Sequence, residues 1–369
     1  MTRRAFVHRI STRSPDDTAG LEALIASGAI RPQDIAAILG KTEGNGCVND
    51  FTRGFASLAI KDALARHLTP AQAAAVCIVM SGGTEGALAP HIIVFEIRVT
   101  DALPQEGALA MGRAQTPALP REDLGRTGQV DMVAQGVQAA MIDAGISDPA
   151  DVHFVQIKCP LLTLDRIAEA EARGKTIATR DPLKSMGLSR AAASLGIAVA
   201  LGEAKRAAVS DAMIGRDWSV YSSRASASAG VELDGHEIIV LGTAPGWCGP
   251  LRIAHGVMAD ALDTGPVRTA FAAAGLEFGG QLDRAQRSQL VALLAKAEAG
   301  STGSLRGFRH TMLDDSDISA TRHARGFVAG VLAGLVGHGE IYVSGGAEHQ
   351  GPDGGGPVAI IAGLPGAQP

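Results

Sequence analysis

The sequence predicts an α/β protein in which one α/β unit occurs three times. Segments rich in β-branched residues alternate with helical patterns along the 369 residues, as in folds whose helices cover sheets. A lysine, an arginine and a serine also recur in that order three times. Such repetition indicates similar domains, and packing about a pseudo-threefold axis would bring the three sets together in one central site.

Strands and helices are predicted from composition and periodicity. Six strand-like segments rich in β-branched residues lie at residues 73–80, 92–97, 152–157, 237–242, 340–343 and 357–363. Three helices are predicted where apolar side chains recur at spacings of three and four residues, at residues 52–68, 189–206 and 320–336. Each helix has an arginine in its predicted first turn, and these are Arg53, Arg190 and Arg322.

The other members of each set flank these helices. The lysines close or follow apolar runs upstream, and they are Lys41, Lys158 and Lys296. The serines end strand-like segments downstream, and they are Ser81, Ser226 and Ser344. Because loops absorb changes in length, the unequal spacings are compatible with three copies of one unit. We place the units at residues 1–103, 111–248 and 254–369.

The residue types in each set suit either binding or hydrolysis. Small residues after a serine leave backbone N–H groups open to a ligand carbonyl or an oxyanion. A serine can attack as a nucleophile when a base takes its proton. Lysine becomes such a base only if its pKa is lowered, which burial and nearby arginines both do. A binding protein that uses the same cage without turnover remains an alternative.

Composition argues against several other classes of protein. The net charge of −5 and the lack of a Lys/Arg run predict no nucleic-acid or anionic-lipid partner. The longest apolar helical segment, residues 327–336, is too short to span a bilayer. The N-terminus lacks the apolar stretch of a signal peptide, so a cytoplasmic protein is expected.

Known motifs of other enzymes are also missing from the sequence. The four cysteines have no CxxC spacing, and the ten histidines have no HxxxH or HExxH spacing. Neither a GxSxG elbow nor a GxGxxG fingerprint is found. One alternative from a different enzyme class is an amidase-like serine cluster in SRASASAG (residues 223–230) with Lys158 or Lys184 as the base. That interpretation leaves the other two sets unexplained.

Four strings of the sequence resemble a known family. They are GKTEGNGCVND (residues 40–50), SGGTEG (81–86), SASAG (226–230) and SGGAEHQGPDGGGPVA (344–359). Together they look like the cyanuric acid hydrolase and barbiturase family of cyclic amide hydrolases, over essentially the whole chain. The resemblance implies three α/β domains around a single active site, a homotetramer and no organic cofactor.

The resemblance also implies roles for individual residues. Ser226 would be the nucleophile and Lys158 its base, while Lys41 and Lys296 would be the lysines of the other two sets. The implied substrate contacts are Arg53 with Ser81 and Gly82, Arg190 with Ser226 and Ala227, and Arg322 with Ser344 and Gly345. A structural divalent cation, Mg²⁺ or Ca²⁺, would be held by Glu298 and oxygens of Ala347, Gln350, Gly351, Pro352 and Gly355.

The implied reaction is the hydrolytic opening of a small cyclic imide. Cyanuric acid would give carboxybiuret, which then loses CO2 to form biuret. The alternative is a barbiturase that converts barbituric acid to ureidomalonate. Cyanuric acid has three carbonyls alternating with three ring N–H groups. This threefold symmetry matches the three Lys/Arg/Ser sets, which favours cyanuric acid over barbituric acid as the substrate.

Overall fold

The computed structural model describes residues 1–314 and 317–364. The predicted third unit, residues 254–369, also includes residues 315–316 and 365–369, which lie outside the described residues. The first part of the chain forms β1 (Thr2–Ser11), α1 (Ala19–Ala26), β2 (Ile35–Thr42), α2 (Phe51–Ala65), α3 (Pro70–Ala74), β3 (Cys77–Gly82) and β4 (His91–Thr100).

The middle and last parts repeat this pattern with insertions. The middle part forms β5 (Leu109–Gln115), α4 (Thr127–Ala144), β6 (Val152–Pro160), α5 (Leu164–Ala172), α6 (Pro182–Ala200), β7 (Ala225–Gly230), β8 (Glu237–Thr243) and β9 (Trp247–Cys248). The last part forms β10 (Leu251–Met258), α7 (Gly265–Ala273), α8 (Arg284–Gln289), β11 (Leu290–Ala297), β12 (Ser304–Leu305), β13 (Phe308–Arg309), α9 (Ala320–Val336), β14 (Tyr342–Gly345) and β15 (Gly356–Gly363).

Three sheets share one topology. Their strand orders are β3-β2-β4-β1, β7-β6-β8-β5 and β14-β11-β15-β10. In each sheet the second strand pairs in parallel with the first and antiparallel with the third. The short strand β9 adds in parallel to β1 and extends the first sheet. The fold is therefore the predicted one, with three similar α/β units around a common centre.

The three sheets pack against a shared apolar core. This core takes side chains from every sheet, including Phe95, Met111 and Tyr342, together with Trp247 of β9. Helices cover the outer faces and form separate apolar clusters there. Every residue of β2 and of β11 is buried, because these strands are covered on both faces, and this explains their continuous apolar sequences.

Two predicted boundaries were wrong for local reasons. Residues 73–74 of the predicted strand 73–80 instead end helix α3 (Pro70–Ala74), and a capping box of Thr69 and Gln72 stabilises the start of that helix. Helix α6 begins at Pro182, where the Asp181 carboxylate caps its first turn. Arg190 therefore lies in the middle of a helix and not in its first turn. Within the described residues, no helix is both long and apolar enough to cross a membrane.

Candidate active site

The parallel strand pairs place one lysine opposite one serine in each unit. Lys41 of β2 lies opposite Ser81 of β3, and Lys296 of β11 lies opposite Ser344 of β14. In the middle unit the same register sets Lys158 of β6 opposite Ser228 of β7. The serine that corresponds to Ser81 and Ser344 is therefore Ser228.

The predicted position of Ser226 and Ala227 is corrected by this register. Ser226 lies opposite Gln156, and its hydroxyl donates to Gln156 Oε1 at 2.7 Å. The Ala227 carbonyl accepts from Lys296 Nζ at 2.9 Å, and its N–H donates to Gln350 Oε1. Ser226 thus does not lie opposite Lys158. Ser226 and Ala227 precede the junction serine Ser228 by two positions and one position.

The three serine hydroxyls meet where the units join. Ser344 Oγ lies 3.3 Å from Ser81 Oγ and 3.2 Å from Ser228 Oγ. They line an inner cavity with Gly82, Ala229, Gly345 and the buried arginines. The inner cavity adjoins an outer cavity of about 420 Å³ that opens to solvent. A small ring held at the junction would contact all three units.

The lysines beneath the serines are fully buried. Lys41 Nζ donates to Ser81 Oγ and Lys296 Nζ donates to Ser344 Oγ, both at 3.2 Å. Burial, reinforced by the Arg325 charge, holds the pKa of Lys41 well below its usual value. Burial and then Arg190 lower the pKa of Lys296 to about 7. Removal from water disfavours an ammonium ion, so the charged form of Lys41 is disfavoured and Lys296 can lose its proton near neutral pH.

Lys158 has a different set of contacts. Its Nζ donates to the Met80 carbonyl at 2.6 Å and forms an ion pair with Glu232 Oε1 at 2.9 Å. Burial lowers the pKa of Lys158, while the Glu232 carboxylate acts in the opposite direction. Lys158 is thus the member of the three whose charge is balanced by a carboxylate in direct contact.

Two arginines reach the junction through ion pairs between units. Arg190 of α6 donates to Glu348 through Nε at 2.8 Å and also through Nη2. Arg325 of α9 donates in the same two-point way to Glu85, through Nε at 2.6 Å and Nη2 at 2.5 Å. A planar guanidinium matches a carboxylate in this geometry, so each glutamate fixes the direction of an arginine from another unit.

The predicted arginine of the third unit is also corrected. Arg322 lines the outer cavity, and its Nε donates to Ser319 Oγ at 3.2 Å. Arg325, one turn further along α9, lines the inner cavity and is 3% exposed. The sequence Arg-Gly-Phe after Ala324 repeats the Arg-Gly-Phe that begins at Arg53. This repeated tripeptide was the available signal that Arg325 is equivalent to Arg53.

Glycines after the serines allow these arginines to approach. Gly83 has a φ of +106°, and a Cβ there would lie 2.0 Å from Arg325 Nη2. Gly346 has a φ of +80°, and a Cβ there would lie 2.5 Å from Arg190. Only glycine combines this backbone conformation with such close packing. The second glycine of each Ser-Gly-Gly is therefore required by an arginine of another unit.

The third arginine is held by backbone carbonyls. Arg53 donates to the carbonyls of Cys47 at 2.7 Å and Ala229 at 3.2 Å. Asp50 orders the loop before it, because its side chain accepts from the N–H groups of Gly46 and Thr52. The string GKTEGNGCVND thus forms a cradle at the mouth of the inner cavity. Glu232, the counterpart of Glu85 and Glu348, pairs with Lys158 in place of an arginine.

The glutamates were not predicted as functional residues, although the sequence carried a signal for them. Ser81, Ser228 and Ser344 begin the strings SGGTE, SAGVE and SGGAE. These share the pattern Ser-x-Gly-x-Glu, and aligning the three strings makes Ser228 the equivalent of Ser81 and Ser344. The alternative base Lys184 is exposed at the outer cavity. Within residues 1–314 and 317–364, no hydrogen bond joins its side chain to the serine cluster, so an amidase-like arrangement with Lys184 as the base is not formed.

The predicted cation ligands include one carboxylate, that of Glu298. Glu298 accepts from the N–H groups of Ala299 at 3.0 Å and Ala347 at 3.3 Å. Burial and the neighbouring Glu348 charge raise the pKa of Glu298 to about 7. Within the described ranges no Lys or Arg side chain forms an ion pair with it. One carboxylate among backbone oxygens is a donor set that suits Mg²⁺ or Ca²⁺, so the residues present fit the expected ion.

Comparison with known proteins gives matches over nearly the whole chain. A family profile described as amidohydrolase ring-opening protein matches residues 6–363. The cyanuric acid amidohydrolase of Azorhizobium caulinodans is 63% identical over 358 residues, which cover 97% of this chain and 98% of that protein. The cyanuric acid amidohydrolase of a Bradyrhizobium species is 60% identical over 363 residues, covering 97% and 98% of the two chains.

Solved structures agree with these matches. The crystal structure of the cyanuric acid hydrolase from A. caulinodans superposes with a TM-score of 0.92 at 62% identity and covers 98% of this chain and 99% of that one. A second cyanuric acid hydrolase, described as an evolutionary innovation by structural concatenation, gives a TM-score of 0.94 at 47% identity. It covers 99% of this chain and all of its own.

Proposed function

The chain belongs to the amidohydrolase ring-opening protein family, and from this premise we propose that it hydrolyses cyanuric acid and opens its six-membered ring. It is a hydrolase of cyclic amides. The observation that carries the proposal is the meeting of three serine hydroxyls, three lysines and three arginines at one junction. Relatives that are 60% identical or more are named cyanuric acid amidohydrolases, which disfavours the barbiturase alternative.

The substrate would be held by equivalent groups from each unit. Arg53, Arg190 and Arg325 would each direct a guanidinium toward a ring carbonyl. Backbone N–H groups after the serines would stabilise the charge that develops on an attacked carbonyl oxygen. Two serines would hold the ring while the third attacks it, since a single acyl transfer needs one nucleophile.

We assign the attack to Ser228, with Lys158 as its base. Lys158 in its neutral form takes the hydroxyl proton as Ser228 Oγ bonds to a ring carbonyl carbon. The ring C–N bond then breaks, and the leaving nitrogen takes the proton from Lys158. Lys158 then takes a proton from water as the water oxygen bonds to the acyl carbon, and it returns that proton to Ser228 Oγ as the acyl C–O bond breaks. This releases carboxybiuret, which decarboxylates to biuret. Two points support this unit: the resemblance to the family implies Lys158 as the base, and the strand register sets Ser228 opposite it.

Substrate class is tested by following the ultraviolet absorbance of the ring. Purified protein is expected to consume cyanuric acid, with barbituric acid consumed far more slowly. No loss of cyanuric acid would contradict the proposed function. Faster loss of barbituric acid would return the assignment to a barbiturase.

The nucleophile is tested by single serine-to-alanine variants. Ser228→Ala is expected to abolish turnover, while Ser81→Ala and Ser344→Ala lose part of it, mainly through a higher KM. Ser226→Ala is the matched control, because that hydroxyl contacts Gln156 and not the junction. Loss of turnover in folded Ser226→Ala together with normal turnover in Ser228→Ala would overturn the assignment.

The structural cation and the tetramer belong to the same proposal. A Mg²⁺ or Ca²⁺ ion held by Glu298 and oxygens of Ala347, Gln350, Gly351, Pro352 and Gly355 would neutralise a buried carboxylate and fix this loop. The loop lies between β14 and β15 and contains Glu348, which orients Arg190. A homotetramer would have four times the chain mass of 37.7 kDa, and light scattering of the purified protein tests it.

A further inference from the structure

Glu232 departs from the pattern that its two counterparts follow. Glu85 and Glu348 each receive two hydrogen bonds from an arginine of another unit. Glu232 instead lies with Oε1 2.9 Å from Lys158 Nζ. Its potential partner Arg53 donates to backbone carbonyls. Among the described residues, the carboxylate therefore forms its ion pair with the proposed catalytic base and not with an arginine.

Glu232 also lines a cavity separate from the substrate entrance, which we call the rear cavity. It has a volume of about 210 Å³ and is lined by Gly54, Ser57, Leu58, Lys61, Ile78, Glu232, Leu233 and Glu237. None of these residues lines the outer or the inner cavity. Lys158 lines the inner cavity, so the Lys158–Glu232 ion pair lies between the two spaces.

The rear cavity has the polarity to hold water. Among the described residues, the buried atoms Glu232 Oε2 and Ser57 Oγ have no hydrogen-bond partner. Buried polar atoms of this kind are normally satisfied by ordered water. At about 30 Å³ for each molecule of water, the rear cavity has room for several. Glu232 is thus in contact with the base on one side and with hydratable space on the other.

Charged groups from several elements face Glu232. Lys158 of β6 and Arg53 of α2 outweigh the effect of burial and hold the pKa of Glu232 below its usual value. Glu237 of β8 and Lys61 of α2 also line the rear cavity. The Glu232 charge acts to raise the pKa of Arg166 of α5. Burial raises the pKa of Glu237 to about 7, so this second carboxyl can exchange protons near neutral pH.

We propose that Glu232 and Glu237 form a proton outlet that connects Lys158 to solvent through the rear cavity, apart from the path of the substrate. This inference rests on the proposed function. The Lys158 ammonium passes one proton to the Glu232 carboxylate, which leaves a neutral amine and a neutral acid. Glu232 then passes the proton to water in the rear cavity, with Glu237 as the next acceptor.

The outlet also accounts for the proton balance of hydrolysis. The proton that Lys158 takes from Ser228 goes to the leaving nitrogen. Hydrolysis of the acyl-enzyme then restores the Ser228 hydroxyl and yields an acid, which ionises at neutral pH by giving one proton to Lys158. The bound product occupies the substrate side of Lys158, so the rear cavity offers this proton an independent route to solvent.

The first test removes the proton acceptor and keeps its shape. Glu232→Gln is expected to lower kcat about a hundredfold, at the lower end of the range for a general acid–base group, and to raise the solvent isotope effect on kcat while KM changes little. Glu237→Gln is expected to lower kcat less and to alter its pH profile near pH 7. Formate is expected to restore turnover to Glu232→Ala in proportion to its concentration.

The second test closes the rear cavity without touching the ion pair. A Cβ at Gly54 meets no atom within 4 Å, so Gly54→Leu can extend into the rear cavity. Gly330→Leu is the matched control, because Gly330 is an exposed helical glycine that also has no atom within 4 Å of its Cβ position. Gly54→Leu is expected to lower kcat severalfold and to raise the solvent isotope effect, with Gly330→Leu unchanged.

The outcomes separate this inference from the proposed function. Failure of the wild-type protein to open cyanuric acid would remove the proposed function itself. Normal wild-type turnover with an unchanged kcat and pH profile in Glu232→Gln would overturn the proton outlet alone. If Glu232→Gln does not fold, equal kcat and isotope effects in Gly54→Leu and Gly330→Leu overturn it.

Discussion

Arg325 and Glu85 belong to different units and are joined by two hydrogen bonds, from Nε at 2.6 Å and from Nη2 at 2.5 Å. Arg190 of the middle unit and Glu348 of the last unit are joined in the same way. A glutamate that follows a strand of one unit therefore fixes the orientation of an arginine of another unit. No single unit contains a complete site, and the repeated sequence motifs act only when the three units are packed together.

Replacing Arg325 by lysine tests the role of the two-point pair. Lysine keeps the charge but lacks the planar fork that engages both carboxylate oxygens. Arg325→Lys is expected to raise the KM for cyanuric acid about tenfold, which corresponds to about 1.4 kcal/mol. Arg322→Lys is expected to change KM less, because Arg322 contacts Ser319 at the outer cavity. A larger rise in KM for Arg322→Lys than for Arg325→Lys would favour Arg322, the arginine predicted from the sequence, as the substrate contact.

Gly83→Ala tests the close approach of Arg325. The Cβ would lie 2.0 Å from Arg325 Nη2, so the guanidinium must move and its contact with Glu85 weakens. Positive φ adds a cost of about 1 kcal/mol for any L side chain. The expected result is a rise in KM measured by steady-state kinetics, together with a modest loss of stability in urea unfolding.

Gly28→Ala is the control for Gly83→Ala. Gly28 also has a positive φ, +77°, but its Cβ position meets nothing within 4 Å. It is expected to lose a similar amount of stability and to keep its KM. Equal KM values in both variants would contradict a role for Gly83 in seating Arg325.

The fold could be predicted where sequence patterns were strong. Strands covered on one or both faces, such as those at residues 92–97 and 357–363, lie within β4 and β15. Strand β1 was missed because arginine and histidine alternate there with the buried Ala5, Val7 and Ile10. Those arginines cover aromatic rings, with Arg3 4.5 Å from the Trp247 ring. Their stems act as apolar cover, which composition alone does not reveal.

The sequence predicted which residue types would form the candidate site, but it did not predict the correct serine of the middle unit or the correct arginine of the last. Repetition alone predicted the lysines and two of the serines that lie together at the junction, because apolar strands and Ser-Gly-Gly are local signals. The choice between Ser226 and Ser228 depends on how β6 pairs with β7, and both serines lie on the same face of the strand. The choice of Arg325 likewise depends on contacts with Glu85, which is 240 positions away in sequence.

Removing a divalent cation tests the proposed loop site. A chelator is expected to lower the melting temperature of the wild-type protein, and added Mg²⁺ or Ca²⁺ is expected to restore it, because an ion bound only by the folded state stabilises that state. Glu298→Gln is expected to reduce both responses. A melting temperature that responds to neither chelator nor added cation would contradict the site.

Stability at acid pH should depend on His236. Its Nδ1 lies 2.9 Å from Thr116 Oγ1 and its Nε2 lies 3.0 Å from Gln129 Nε2. Burial lowers the pKa of His236 to about 4, below the value of about 6.5 for an exposed imidazole. The unfolded chain therefore binds a proton first as pH falls. The stabilising contribution of neutral His236 is complete above pH 6.5 and is lost progressively toward pH 4.

His236→Gln is expected to flatten this dependence. Between pH 7.5 and pH 5 the wild-type protein should lose about 2 kcal/mol of unfolding free energy more than the variant does, from about 1.4 kcal/mol per pH unit below 6.5. Urea unfolding at each pH measures the difference. His67→Gln serves as the control, because His67 is exposed and its replacement should leave the wild-type slope unchanged. Parallel slopes for wild type and His236→Gln would show that the buried imidazole does not set the acid limit of the fold.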